Sequence, residues 1–178
     1  MKIAVTGANG HFGKILVQFL RENNFEVKPS DLCPGRSEEG AVNCDVRDLG
    51  HLVSVFQGCD AVVHLAAFPG PWTQPDAKVY QDNTVGSYNV LLACELLGIK
   101  KICQASSINA IGGVYSRLPT YDYFPVDEEH PTYSEDPYSL SKWILEIQGD
   151  CFARRREDVS ISSMRFHVWN TFSACALR

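Results

Sequence analysis

Apolar residues in this chain fall into short continuous runs, separated by longer stretches in which they recur every three or four positions. The runs read "KIAVT", "FEVKPS", "AVNCD", "DAVVHLA", "KKICQAS" and "VSISSMRF". The periodic stretches read "HFGKILVQFLREN", "LGHLVSVFQ" and "DAKVYQDNTVGSYNVLLACELLG", and another opens at "DPYSLSKW". Short apolar runs bounded by helical patterns mark strands covered on both faces, because parallel strands need a crossover between them. The pattern predicts an α/β fold: a doubly wound parallel sheet of about six strands with right-handed crossovers. The one long irregular stretch runs from Ile108 to Glu135 and is rich in Pro, Tyr and Gly. Loops of that length inside a compact domain are usually functional.

Composition narrows the function classes. With 178 residues, 45% hydrophobic and 21% charged, the chain suits one globular domain with a sizeable core. A formal net charge of -5 and the lack of a dense Lys/Arg stripe argue against nucleic-acid binding, which needs many phosphate-neutralising cations. The basic run Arg154 to Arg156 reads as a solvated helix end. Cysteines at 33, 44, 59, 94, 103, 151 and 175 form no C-x-x-C pair and have no histidines at metal-ligand spacing. They read as buried, reduced thiols, and no metal site is expected. The opening "MKIAVTGANG" carries too short an apolar run for a signal peptide, and no stretch approaches the roughly 18 apolar residues of a membrane span. A cytoplasmic location without membrane contact is expected.

The first strand runs directly into "TGANGHFG", which places Gly7, Gly10 and Gly13 in a G-x-x-G-x-x-G pattern with a helix behind it. Glycine here serves a tight turn, close backbone approach to a pyrophosphate, and helix-to-strand packing, with the helix N-terminus facing the anion. The strand-turn-helix context makes this a dinucleotide-binding fingerprint of Rossmann type. A phosphate loop of the nucleotide-triphosphatase kind is excluded, since Ile15 stands where a Ser or Thr should bind magnesium. Asp31 ends the second strand, where a carboxylate accepts hydrogen bonds from an adenosine ribose and repels a 2'-phosphate. NAD is therefore favoured over NADP, although Arg36 lies nearby. In "DPYSLSKW", Asp136 suits an N-cap and Pro137 the first helical position, so Tyr138 and Lys142 share one helix face. An ammonium near a phenol favours its phenolate. Alone, that spacing also describes two side chains on an ordinary wet helix.

Taken in order, the glycine pattern, "CDVRD", "HLAA", "NTVGSYNVLLAC", "ASS" and "YSLSK" resemble the extended short-chain dehydrogenase/reductase family, in its NAD-dependent epimerase/dehydratase branch. The resemblance covers about residues 1 to 168 and implies an NAD-binding Rossmann domain over that span, with 169–178 an atypical tail. It implies that Asp45 and Val46 contact the adenine. It implies that the strand end from His64 through Leu65, Ala66 and Ala67 borders the diphosphate and ribose, and that Asn83 is mainly structural. It also implies a catalytic set of Ser107, with Ser106 as the fallback, Tyr138 and Lys142. In that set Tyr138 is the base, Ser107 binds the substrate oxygen, and Lys142 binds the nicotinamide ribose and, with the positively charged oxidised ring, keeps the tyrosine pKa low. The chain departs from the family's dehydratases, because "SSINA" carries neither of their carboxylates. It departs from many epimerases where Ile111-Gly112-Gly113 replaces Tyr-Gly, which leaves room for sugar or uronate dehydrogenases. Family members continue beyond this length into a substrate domain, so the expectation is a chain shortened at its C-terminus with that domain missing. The implied function is NAD-dependent hydride transfer at a secondary alcohol of a sugar-type or other small substrate. The alternative is an NAD-binding fragment without turnover, serving redox sensing or partner binding. An uncovered sheet edge makes a homo-oligomer conceivable.

Overall fold

A computed structural model describes residues 1–33 and 40–167. In chain order the elements are β1 (Lys2–Thr6), α1 (His11–Glu22), β2 (Glu26–Asp31), β3 (Val42–Asn43), α2 (Leu49–Phe56), β4 (Ala61–His64), α3 (Asp76–Leu97), β5 (Lys101–Ser107), α4 (Pro137–Ala153) and β6 (Ser160–Phe166). A 3-10 turn over Ile108–Ile111 follows β5 and opens the irregular stretch. The strands make one parallel sheet in the order β3-β2-β1-β4-β5-β6. The chain thus starts at the middle, winds to one edge, and returns past its origin to the other. The reversal lies between β1 and β4, where open α/β sheets leave a crevice outside the carboxyl ends of their strands.

The alternation along β1 shows why the sheet is covered on both sides. Ile3 and Val5 point to one face and join Val17 and Leu20 of α1 in one core. Ala4 faces the other core, with Val62 and Ile102 from the neighbouring strands and Leu52, Phe56, Val90, Leu91 and Phe152 from α2, α3 and α4. The strands therefore read as apolar runs rather than alternating ones. β3 is shorter than its five-letter run: it pairs only through Val42 and Asn43 with Ser30 and Asp31. Pro29, which has no N–H to donate, sits in β2 just before that paired stretch.

Caps fix the helix starts that position the site. Asp136 Oδ1 accepts from the Ser139 N–H at 2.9 Å at the head of α4, with Pro137 behind it. Asp48 caps α2 through the His51 N–H at 3.1 Å. α3 ends on Gly98, whose left-handed conformation (φ 69°) turns the chain into β5. Asn83 ties three segments together. Its Oδ1 accepts from Phe68 N–H at 2.8 Å, and its Nδ2 donates to Phe68 O at 3.3 Å and Ser141 Oγ at 3.0 Å. The structural role expected of Asn83 is visible in those bonds.

One expectation about the surface needs correction, and another gains detail. Cys33 and Cys151 are exposed, while Cys44, Cys59 and Cys94 are buried and Cys103 lies between; Cys175 lies outside the described residues. Cys33 is in the turn after β2, and Cys151 is on the outer side of α4, so neither reaches a core. The basic run is not merely solvated. Arg155 pairs with Glu95 at 2.8 Å and lies 3.8 Å over the Phe152 ring, and Arg156 pairs with Asp158. Arg36 and residues 169–178 fall outside the described residues.

The far side of the sheet is closed by a charge pair. Arg165 of β6 donates from Nε and Nη2 to both oxygens of Glu146 on α4, at 3.0 and 2.9 Å, and Ser106 Oγ of β5 bonds the same carboxylate. The two side chains are only 19% and 14% exposed, so each needs the other to offset its desolvation. Replacing Arg165 with Met leaves Glu146 charged and alone, and a loss of about 3 kcal/mol is expected. The double replacement Glu146→Leu/Arg165→Met should recover most of that. Urea denaturation of the three proteins checks the ordering; a single variant as stable as the parent would contradict it.

Candidate functional site

The turn between β1 and α1 leaves no room for a side chain at Gly7, nor at Gly13 in the helix behind it. A Cβ on Gly13 would lie 2.2 Å from Gly7 O, and one on Gly7, itself at φ 69°, would lie 2.7 Å from Ala66 N. Gly10 is the residue before α1 and brings no side-chain cap, and the helix has no acidic residue in its first turn. The head of α1 thus carries neither a capping side chain nor an acidic residue, an arrangement that suits an anion.

Next along the sheet, Asp31 at the end of β2 accepts from Asn9 N–H and Cys33 N–H, both at 3.0 Å. Asn9 Nδ2 donates in turn to Cys33 O at 2.7 Å. The glycine turn and the end of β2 are fastened to each other, with Asp31 at the lip. Beyond it, Asp45 meets the Arg47 backbone N–H and guanidinium, which hold its carboxyl below the usual range despite partial burial. Val46 packs against α3, where a Cβ on Gly86 would meet its side chain at 2.7 Å.

Between these groups lies a cleft of about 470 Å³, lined by Gly7, Gly10, Asp31, Asp45, Val46, Leu65, Ala66 and Ala67. Eight of the expected cofactor residues therefore share one cavity. Gly13 and Lys142 are not on its wall: Gly13 acts beneath it, by letting α1 seat on Gly7, and Lys142 lies beyond its far end. The glycine cradle, the uncapped helix and the apolar walls together fit a dinucleotide. Sequence reasoning missed Asn9, Leu32, Arg47 and Phe68 on this wall. Asn9 and Arg47 stood inside quoted motifs, and only the fold shows which way they face.

The expected catalytic residues converge at the carboxyl end of β5. Ser107 ends the strand, and Tyr138 and Lys142 occupy the first two turns of α4; all three are buried. Ser107 Oγ accepts from Asn109 N–H at 3.1 Å, and its hydroxyl lies close enough to the Tyr138 phenol to lower its pKa. Ser106, the fallback, is committed to Glu146. Lys142 Nζ donates to Ala105 O at 2.6 Å and stands 5.7 Å from the centre of the Tyr138 ring. Burial pushes the Tyr138 phenol above its ordinary value, and the neighbouring Ser107 hydroxyl pulls it back only in part. Lys142 by itself exerts no lowering on the phenol. The reason is that the lysine is itself desolvated, which brings its pKa down to about 8. Tyr115, from the irregular stretch, lies edge-on to Tyr138 at 5.8 Å, with Trp72 against its other side at 4.8 Å. No pattern in the sequence singled out either ring.

His64, at the end of β4, is buried and bonded through Nδ1 to Thr6 Oγ1 at 2.8 Å. That oxygen also accepts from the N–H groups of Leu65 and Ala66 at 3.3 Å. The Thr6 hydroxyl thus donates to the ring while holding the turn that forms the cleft wall. Burial, helped by the nearby Lys142 charge, pushes the His64 pKa down to about 3. Among the described residues no group of His, Cys, Asp and Glu could hold a metal ion, and no helix is long and apolar enough to cross a membrane.

Residues 3–169 match the model of the NAD dependent epimerase/dehydratase family. An L-arabinose 1-dehydrogenase (NAD(P)(+)) of Haloferax volcanii is 35% identical over 163 residues, covering 86% of this chain and 62% of that protein. A putative UDP-glucose 4-epimerase of Methanocaldococcus jannaschii is 34% identical over 154 residues, covering 81% and 48%. Among solved structures, a short-chain dehydrogenase/reductase superfamily protein from Agrobacterium tumefaciens with bound NAD superposes with a TM-score of 0.80 at 28% identity, covering 93% of this chain and 48% of that one. The chain thus spans about half to three-fifths of the length of these relatives.

Neutral, buried His64 predicts acid sensitivity. In the unfolded chain a histidine takes up a proton near its ordinary value of 6.5, whereas in the fold it does so only near 3. The unfolded state therefore binds more protons between these values, and stability falls as pH drops from about 6.5 towards 3. His64→Asn keeps an acceptor for Thr6 without a titrating ring, so its urea midpoint should fall less over that range than the parent's. Parallel pH profiles for the two would contradict the assignment.

Proposed function

The chain belongs to the NAD dependent epimerase/dehydratase family, and on that premise we propose that it transfers hydride between NAD and a secondary alcohol of a sugar-type substrate, with Ser107, Tyr138 and Lys142 as its catalytic residues. The observation that carries the reading is their convergence, at the carboxyl end of β5, beside a glycine-cradled cleft. Residues 1–168 are the cofactor domain in this reading. Gly7, Gly10 and the head of α1 would hold the diphosphate, with Gly13 allowing the approach. Asp31 would take the adenosine ribose, and Asp45 and Val46 would flank the adenine. Leu65, Ala66 and Ala67 would line the diphosphate and ribose, and Lys142 would bind the nicotinamide ribose. NAD supplies the hydride acceptor when bound.

The chain's own residues handle the proton. A substrate hydroxyl placed between Ser107 Oγ and Tyr138 Oη is held by the serine and gives its proton to the tyrosine as its carbon is oxidised; in the reverse direction the phenol returns the proton to the carbonyl oxygen. With its pKa raised, Tyr138 stays protonated near neutrality, the form suited to carbonyl reduction. Elimination of water has no acid to serve it. Asn109, in the segment where a dehydratase carries carboxylates, bonds to Ser107 through its N–H and accepts from Val114 N–H through Oδ1. A sugar-type substrate is suggested by the arabinose dehydrogenase and the UDP-glucose epimerase among the relatives.

Calorimetry should find NAD bound more tightly than NADP, and Asp31→Ala should weaken NAD and narrow the gap; tighter NADP binding by the parent would overturn the cofactor choice. Tyr138→Phe should leave NAD affinity nearly intact and cut turnover by about 100-fold or more, since acid-base catalysis is typically worth about 10²–10⁴. Lys142→Ala should impair both. Alcohol oxidation should climb with pH through the alkaline range as Tyr138 ionises, with reduction falling in parallel. NAD binding with no turnover on any sugar alcohol would favour the alternative, a cofactor-binding module.

A further inference from the structure

We propose that Arg47 is a binding residue for the base end of the cofactor, offering the flat face of its guanidinium as a stacking surface for the adenine; this rests on the NAD reading above. The order of the sheet sets the argument. The glycine turn follows β1, Asp31 ends β2, and the segment Asp45–Arg47 follows β3, so diphosphate, ribose and base are met in that order along the cleft.

Arg47 is held as a plate at the last of these positions. Its Nε bonds Asp45 Oδ1 and Oδ2 at 2.9 and 3.1 Å, its Nη2 bonds Asp45 Oδ2 at 2.6 Å, and its Nη1 bonds Asp82 Oδ2 of α3 at 3.0 Å. Asn89 Nδ2 holds its carbonyl at 2.8 Å. The Nε–H and one N–H on each Nη are bonded in the guanidinium plane, yet the side chain remains 39% exposed and Arg47 lines the cleft. A guanidinium with its edges tied keeps its faces available, and a flat face in an apolar-walled cleft suits an aromatic ring.

The same bonds limit Asp45. Oδ1 accepts the Arg47 backbone N–H and Nε, and Oδ2 accepts Nε and Nη2, so its lone pairs are engaged. Asp45 thus holds Arg47 in place, and the guanidinium joins Asp45 and Val46 at the base end of the cleft. Lys78 completes the group on Asp82 at 2.7 Å. In this group two cations balance two carboxylates.

The test uses the chain as it stands. Titration of the parent and Arg47→Lys with AMP, ADP-ribose and nicotinamide mononucleotide should show the variant weakened about five- to tenfold for the two adenine ligands, as expected for loss of a stacked guanidinium, and unchanged for the third. Lysine keeps the charge but has no face. In the parent, the Arg47 Nε–H resonance of ¹⁵N-labelled protein should shift upfield on adding AMP and stay put with nicotinamide mononucleotide. That ring-current shift would not arise from an arginine that only braces Asp45, and it needs no variant to fold. Equal AMP affinity for parent and variant, equal weakening for all three ligands, or no ring-current shift would each overturn the inference while leaving the NAD reading in place. Failure of the parent to bind ADP-ribose would remove both.

Discussion

The contact on which the rest of the structure depends is the approach of three backbone segments at Gly7. Its own missing side chain lets β1 lie against the start of the turn at Leu65 and Ala66, and the missing side chain of Gly13 lets α1 rest on Gly7 O. Neither approach tolerates a methyl group without moving backbone, so the relation of β1, β4 and α1 is set by van der Waals exclusion. Hydrogen bonds then fasten what exclusion has placed: Thr6 Oγ1 receives the N–H groups of Leu65 and Ala66, and Asp31 receives that of Asn9. The crevice at the sheet's reversal is a consequence of this packing, with its polar groups already pointed inward.

The other half of the site is organised by charge rather than contact. α4 carries Tyr138 and Lys142 on one side, and its Glu146, one turn further on, is clamped by Arg165 and Ser106. Ser106 precedes Ser107, so the clamp joins the strand that presents the serine to the helix that presents the tyrosine and lysine. Asn83 links that helix to α3 and to the segment after β4 through Ser141 and Phe68. The two halves of the candidate site meet through these side chains.

Much of this was legible beforehand, and the reasons are specific. Strand and helix runs were visible because parallel strands buried on both faces must be apolar throughout. The order of the glycine, "HLAA" and "YSLSK" segments placed the cleft and Ser107, Tyr138 and Lys142 at the same ends of the strands that the structure shows. What escaped notice depends on side-chain direction across elements distant in sequence. Glu146 and Arg165 lie in separate elements and become a pair only when β6 docks beside β5. Tyr115 reaches Tyr138 from a stretch with no periodicity to read. Cys33 and Cys151 escaped for the opposite reason, because residue type suggests burial while position decides it.

The environment of Tyr138 and Lys142 shows how far spacing alone can mislead about chemistry. A phenol and an ammonium four residues apart suggest a lowered tyrosine pKa, and that inference assumes a lysine that stays fully charged. Here both groups are withdrawn from water, so burial acts on the two in opposite directions: it raises the acid that must lose a proton and lowers the base that must keep one. Among the described residues, the neighbouring Ser107 hydroxyl works the other way on the phenol. In the proposed reading the raised pKa of Tyr138 favours the phenol as a proton donor, and a positive charge brought beside it would shift the balance towards accepting.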